Sequence, residues 1–155
     1  MSYASQTFNK DRHTIYTPLN EDKYTGKEYP VCRSSWENTF CQWCDKNPSV
    51  LKWSSEALQI SYFDPVKRKN RRYYPDFTMS VKDVNGKISN YVIEIKPYEQ
   101  TILPTQHGNK KSKTYMYEFC TYQINLAKWK AAIDFCRKHG LIFKLLTEKD
   151  LYKGK

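Results

Sequence analysis

The spacing of apolar positions changes period along the chain. Trp36, Phe40 and Trp43 recur at i, i+4 and i+7, one face of a helix. Ser34 stands where that helix opens and Asn47-Pro48 where it stops. After Leu51-Lys52-Trp53 the period becomes two: Leu58, Ile60 and Tyr62 predict a strand ending at the Asp64-Pro65 turn. A second strand is expected from about Tyr73 to Val81 and a third from Tyr91 to Lys96, stopped by Pro97. Between them, Asp83-Val84-Asn85-Gly86 has the composition of a hairpin turn. Residues 98–113 read as a polar loop containing Pro104 and Gly108. A helix follows over about Thr114 to Gln123. Asn125 reads as the cap of another, which carries Leu126, Trp129, Ile133 and Phe135-Cys136 and ends at Gly140. Leu141 to Leu146 is expected as a buried strand, with Thr147-x-x-Asp150 capping a short last turn.

The order α-β-β-β-α-α-β predicts one α/β domain, a mixed central sheet flanked by helices. Residues 1–30 are polar and Tyr-rich with weak periodicity, and read as an irregular N-terminal arm that orders only against the body or a partner. Residues 31–155 form the domain. A chain of 155 residues is long enough to fold on its own core.

Charge narrows the partners. Lys and Arg outnumber Asp and Glu by 26 to 16, a net charge of +10. With 15% aromatics, that balance points to nucleic acid as the partner, against the alternative of a solvated basic surface. No apolar run approaches the roughly 18 residues that span a bilayer, so no membrane partner is expected. Met1 to His13 has no apolar segment of a signal peptide, so the protein is expected to stay where it is made, with its five cysteines as reduced thiols.

The chemistry concentrates in Tyr74-Pro75-Asp76 and Val92-Ile93-Glu94-Ile95-Lys96-Pro97. Glu94 and Lys96 are two apart on a strand and share a face, while Tyr91, Ile93 and Ile95 point into the core. If Val84-Asn85-Gly86 is a three-residue loop, Asp83 faces Lys87 and Asp76 falls opposite Glu94. If Asn85-Gly86 alone is the loop, the pairing shifts by one and Asp76 turns to the other face. Two adjacent carboxylates resist joint ionisation, and a hard divalent cation resolves the conflict. Mg²⁺ binds through one or two carboxylates plus waters and phosphate oxygens, with Mn²⁺ able to substitute. Such an ion activates water and neutralises charge developing on phosphate, and Lys96 would orient the water or stabilise that charge. Phosphodiester hydrolysis is the reaction expected.

Pro75-Asp76, a gap of 17 residues and then Glu94-Ile95-Lys96 resemble the PD-(D/E)XK nuclease superfamily, whose restriction-endonuclease-like core has a similar element order. The resemblance implies Asp76, Glu94 and the Ile95 carbonyl as metal ligands, Lys96 as catalytic, and residues 31–155 as the nuclease-like domain. It also implies an acid on the preceding helix, where Glu37 stands. Ser34-x-x-Glu37 is equally a capping box, so both readings of Glu37 stay open. Glu56, at the start of a strand, is the weaker alternative.

Within the superfamily, the chain resembles the head completion nucleases of tailed phages. The residues concerned are Arg33-Ser34-x-Trp36-Glu37, Asp45-Lys46-Asn47-Pro48, Trp53-x-Ser55-Glu56, Glu94-Ile95-Lys96-Pro97, Lys128-Trp129-Lys130-Ala131-Ala132 and Leu146-Thr147-Glu148. Transposon end-cleaving endonucleases are similar more distantly. The resemblance implies DNA as substrate, portal or neck proteins as partners, and action after packaging. It places the protein in the host cytoplasm during assembly and in the head or neck of the virion. Two other readings stay open on the same fold: a neck protein that binds DNA or the portal without cutting, and a junction-resolving nuclease. Retention of both acids and the lysine argues against the first.

Basic runs supply candidate backbone contacts. Lys67, Arg68, Lys69, Arg71 and Arg72 sit in the turn before the Asp76 strand, as a phosphate-binding edge or a solvated tip. Lys110, Lys111 and Lys113 lie in the loop after the Lys96 strand, with the same two readings. Gln123 and Lys128 lie on or between the two late helices; the resemblance implies a polar residue from this region completing the site, the alternative being exposed helix residues, and Trp129 is expected as core. Cys41-x-x-Cys44 falls within an aromatic helix and lacks a second Cys/His pair, so it reads as buried structure.

Overall fold

The computed structural model describes residues 13–105 and 112–152, and Lys110 and Lys111 lie outside them. Two short strands, β1 (Thr14–Ile15) and β2 (Val31–Cys32), pair antiparallel ahead of helix α1 (Ser35–Lys46). Ser34 caps α1 by accepting the Glu37 N–H at 3.2 Å, an arrangement worth about 1 kcal/mol. Asn47 closes the helix as its C-cap. Phe40 is buried, but Trp43 is 45% exposed, so the apolar stripe of α1 is narrower than its spacing predicts.

The sheet is built from β3 (Val50–Ser55), β6 (Phe77–Lys82), β7 (Ile88–Ile95) and β8 (Ile142–Leu146), in the order β3-β6-β7-β8. The first three are antiparallel and β8 runs parallel to β7, so the sheet is mixed as expected. β3 occupies a segment that its sequence pattern does not mark as a strand. An irregularity between Val50 and Lys52 breaks the alternation: Val50 and Trp53 are buried while Leu51 and Lys52 are exposed.

The strand expected around Leu58 to Tyr62 is outside this sheet. It is β4 (Ile60–Asp64), which pairs only with β5 (Lys69–Tyr73) in a separate ribbon. The basic run is therefore mostly strand, with Lys67 and Arg68 at the turn. Asp64 organises that turn, its carboxylate accepting the N–H groups of Val66 and Lys67 at 2.9 Å each. The chain then breaks at Tyr74-Pro75-Asp76, so the second strand of the main sheet begins at Phe77 rather than near Tyr73.

One helix, α2 (Lys113–Lys138), replaces the two expected late helices. Asn125 is not a cap but a buried residue in its middle, and Lys113 opens the helix instead of ending a loop. No Gly or Pro interrupts the segment. Gly140, at φ +68°, terminates it as expected. The last turn, α3 (Glu148–Leu151), has its predicted capping box, with Thr147 accepting the Lys149 N–H and Asp150 reaching back to the Thr147 N–H.

The sheet has a core on each face. On one side, Phe40, Cys41 and Cys44 of α1 pack on Val50, Trp53, Phe77, Ile93 and Ile95. Cys32 and Cys41 are free thiols 3.7 Å apart, and Cys44 is fully buried, which agrees with the structural reading of Cys41-x-x-Cys44. The second cluster joins the ribbon to α2 through Ile60, Tyr62, Tyr73 and Ala132. Among the described residues no helix is long and apolar enough to cross a membrane.

Candidate active site

The turn after β6 settles the register. Asp83 donates its N–H to the Lys87 carbonyl at 2.9 Å, and Gly86, at φ +82°, completes a three-residue loop. Phe77 pairs with Ile93, and one step further along the same register sets Asp76 opposite Glu94. This is the arrangement the chemistry requires. The Asp76 carboxylate also crosses to β7 and accepts the Ile95 N–H at 2.7 Å.

Glu94 is more enclosed than a half-buried strand predicts. The last four residues of β7 are buried on both faces, and Glu94 is 4% exposed. One carboxylate oxygen lies 3.7 Å from Lys96 Nζ. The other, Oε1, is buried and has no hydrogen-bond partner among the described residues. Tyr73 abuts Glu94, yet its buried hydroxyl closes no well-formed hydrogen bond either. Burial raises the pKa of both acids, and the charge of Glu94 raises Asp76 further. Lys96 opposes the shift in each.

Glu37 does not close the capping box that its spacing allows. Its carboxylate accepts the Arg33 N–H at 3.2 Å, one residue before the N-cap and not at the N-cap itself. It also faces Asp76 electrostatically. Burial first, and then Asp76, push its pKa up to about 7. Glu56 lies just beyond the end of β3, not at the start of a strand. Its N–H donates to the Asp76 carbonyl at 3.0 Å, and its carboxylate pairs with Arg33 at 2.5 Å. Glu56 holds φ +49°, a left-handed conformation that is strained for a side chain of its size and that stands beside Asp76.

Asp76, Glu94, Lys96 and Glu37 are thus brought to one locality. The foot of the ribbon, Tyr73, joins them, while Lys67 and Arg68 lie at its far tip. Lys113 is exposed at the start of α2. Of the neighbours, Tyr73 has no site reading in the sequence, Arg33 enters only through the resemblance, and Lys128 only as a polar residue of the late helices. Arg33 precedes a helix cap, Tyr73 follows a basic run, and Lys128 is partly buried rather than exposed. Gln123 is half-buried on α2.

The residues fit a divalent ion. Among the described residues no three His, Cys, Asp or Glu side chains converge as a ready cage. Mg²⁺ does not need one, because it is held by one or two carboxylates and keeps its waters. The unpartnered Glu94 oxygen, beside a second carboxylate of raised pKa, is the kind of donor such an ion satisfies.

The family described as TnsA-like endonuclease N terminal matches residues 47–148, about two thirds of the chain and all four strands of the sheet. The chain belongs to the TnsA-like endonucleases. The chain is also similar to the head completion nuclease of Enterobacteria phage T4, 39% identical over 140 residues, covering 88% of this chain and 91% of that protein. The matched region of this TnsA-like chain holds Asp76, Glu94 and Lys96, whereas Glu37 lies before it. The resemblance to PD-(D/E)XK nucleases therefore extends from a short motif to the fold and most of the sequence.

Proposed function

We propose that the protein is a divalent-metal-dependent deoxyribonuclease that acts in phage head completion, on DNA at the portal or neck after packaging. The observation that carries the metal and the reaction is the pair Asp76 and Glu94 on neighbouring strands, with a buried Glu94 oxygen unpartnered and Lys96 at 3.7 Å. The name of the phage T4 relative supports the biological setting.

Asp76 and Glu94, with the Ile95 carbonyl, would hold Mg²⁺ or Mn²⁺. That ion would lower the pKa of a bound water and offset the charge that builds on the phosphate. The chain's own groups do the rest. The Ile95 N–H fixes the Asp76 carboxylate, and Lys96 orients the attacking water and stabilises the charge on the phosphate oxygens. The water oxygen bonds to phosphorus as its proton passes to solvent or a nearby carboxylate, and one bridging P–O bond breaks, its electron pair going to the departing sugar oxygen, which takes a proton from solvent. Glu37, with a pKa of about 7, is suited to accept or share a proton at the edge of the site.

Linear, circular and branched DNA incubated with Mg²⁺, Mn²⁺ or EDTA test the reading, beside Lys96→Ala. Cleavage is expected with either ion, with loss in EDTA and a drop of about 10² or more in the variant. Undiminished cleavage in EDTA or by Lys96→Ala would sink the assignment. Preference for branched DNA would favour junction resolution. Binding without any cleavage would favour the structural neck protein.

A further inference from the structure

We propose that a pocket beside the carboxylates binds an unpaired nucleobase of the DNA strand being cut, so that the substrate is DNA with a single-stranded end or gap. The inference rests on the nuclease reading and names the substrate class for it. Between residues 99–105 and the first half of α2 lies a pocket of about 580 Å³, within the roughly 300–1,000 Å³ of small-ligand sites. Both of its walls adjoin the site. Glu99, in the turn Tyr98–Gln100, is three residues beyond Lys96. Asn125 stands one helical turn, about 4.5 Å along α2, before Lys128, whose charge acts on Glu94. A strand whose phosphate meets Lys96 brings its neighbouring nucleotide to the mouth of the pocket.

The lining matches a base and not a phosphate. The protein carries a net charge of +10, yet among the described residues the charged side chains that line this pocket are Glu99 and Glu118. Two carboxylates repel a phosphate, whereas a carboxylate accepts from the exocyclic amino group of a base. Tyr117 and Tyr122 supply aromatic rings, and Ile102 and Leu103 supply apolar surface at 43% and 59% exposure. Bases stack on such rings with little regard to sequence. Asn125, 4% exposed, adds an amide able both to donate and to accept at a base edge. Inside a duplex the edges are paired and the faces stacked, so an unpaired nucleotide is the one that can enter.

Binding is measured in EDTA, so that no strand is cut, with two probes: a duplex bearing a short single-stranded overhang, and the same duplex with abasic nucleotides in the overhang. The probes carry the same phosphates and differ in bases alone. Wild-type protein is expected to bind the base-bearing overhang about tenfold more tightly. Tyr117→Ala combined with Leu103→Ser, both at exposed positions, should erase that preference. The salt slope, which counts phosphates, should stay as in wild type. Tyr117→Ala alone should lose part of the preference, and Tyr117→Phe, which keeps the ring, should retain it. Equal affinity of the wild-type protein for the two probes overturns the proposal. So does a full preference in the double variant, which would leave the pocket to solvent or to an apolar peptide of a partner protein. Failure of the nuclease reading shows separately, as absence of metal-dependent cleavage by the wild-type protein.

Discussion

Glu94 is an expensive residue to keep. It sits on a strand buried on both faces, next to another acid, with one oxygen unsatisfied. A carboxyl in that position is stabilising only when a cation completes it, so the site works against the fold in the absence of metal. Glu94→Gln is therefore expected to abolish cleavage and raise the melting temperature of metal-free protein at pH 8. The gain should be about 2–4 °C for each kcal/mol of repulsion removed, read by calorimetry. The pH dependence has a definite sign. An acid with a raised folded pKa binds more protons folded than unfolded, so stability falls as pH rises from the ordinary value to the folded one. For Glu37 that window runs from 4.5 to about 7. Metal-free protein should lose stability across it, and Glu37→Gln should flatten the loss. Glu94 and Lys96 were legible in the sequence because strand alternation puts them on one face, whereas the face of Asp76 stayed open between two loop lengths and is set by the register of the structure. The resemblance pointed to the helix region of Lys128, but its place over the Tyr62 and Tyr73 rings was not legible, because helical spacing does not distinguish a lysine lying over two rings from one in solvent.

The ribbon is the element whose form the sequence concealed. Lys69 to Tyr73 contains one apolar residue, so its alternation is written in charges and reads as a turn. β3 was hidden differently, by the irregularity that puts Leu51 and Lys52 outward together. In each case tertiary pairing overrode a weak local pattern. The division of labour within the ribbon is visible in the structure. Arg71 is tied to buried Asp64, while Lys67 and Arg72 are exposed. The double change Lys67→Ala with Arg72→Ala is expected to leave thermal stability within about 0.5 kcal/mol of wild type. It should flatten the salt dependence of DNA binding by about 1.8 if both residues meet phosphates. A wild-type slope would show Lys67 and Arg72 to be solvated surface.

Over the whole molecule, residues 13–30 are stitched to the body through the end of α1. Buried Asp45 accepts the Tyr16 hydroxyl at 2.6 Å and the N–H groups of Leu19 and Asn20 at 2.7 and 3.0 Å. Lys23 donates to the Cys44, Asp45 and Asn47 carbonyls, closing the helix where its dipole favours a cation. Although burial pushes the Asp45 pKa up, these hydrogen bonds hold it below the usual carboxylate range. Asp45→Ala leaves three donors unpartnered and should cost about 2–3 kcal/mol. Hydrogen exchange should then show residues 13–23 losing protection ahead of the sheet. Equal loss throughout would mean that this segment and the sheet open as one unit.

The turn at Asp83 to Lys87 stands at the opposite end of the β6–β7 hairpin from the carboxylates, about seven residues or some 24 Å away. Surface loops ordinarily accept lineage-to-lineage changes of length with little effect. Here a single inserted or deleted residue would slide one strand past the other and send Asp76 to the wrong face of the sheet. The loop stands a hairpin's length from the carboxylates, yet its length sets which face of the sheet Asp76 takes.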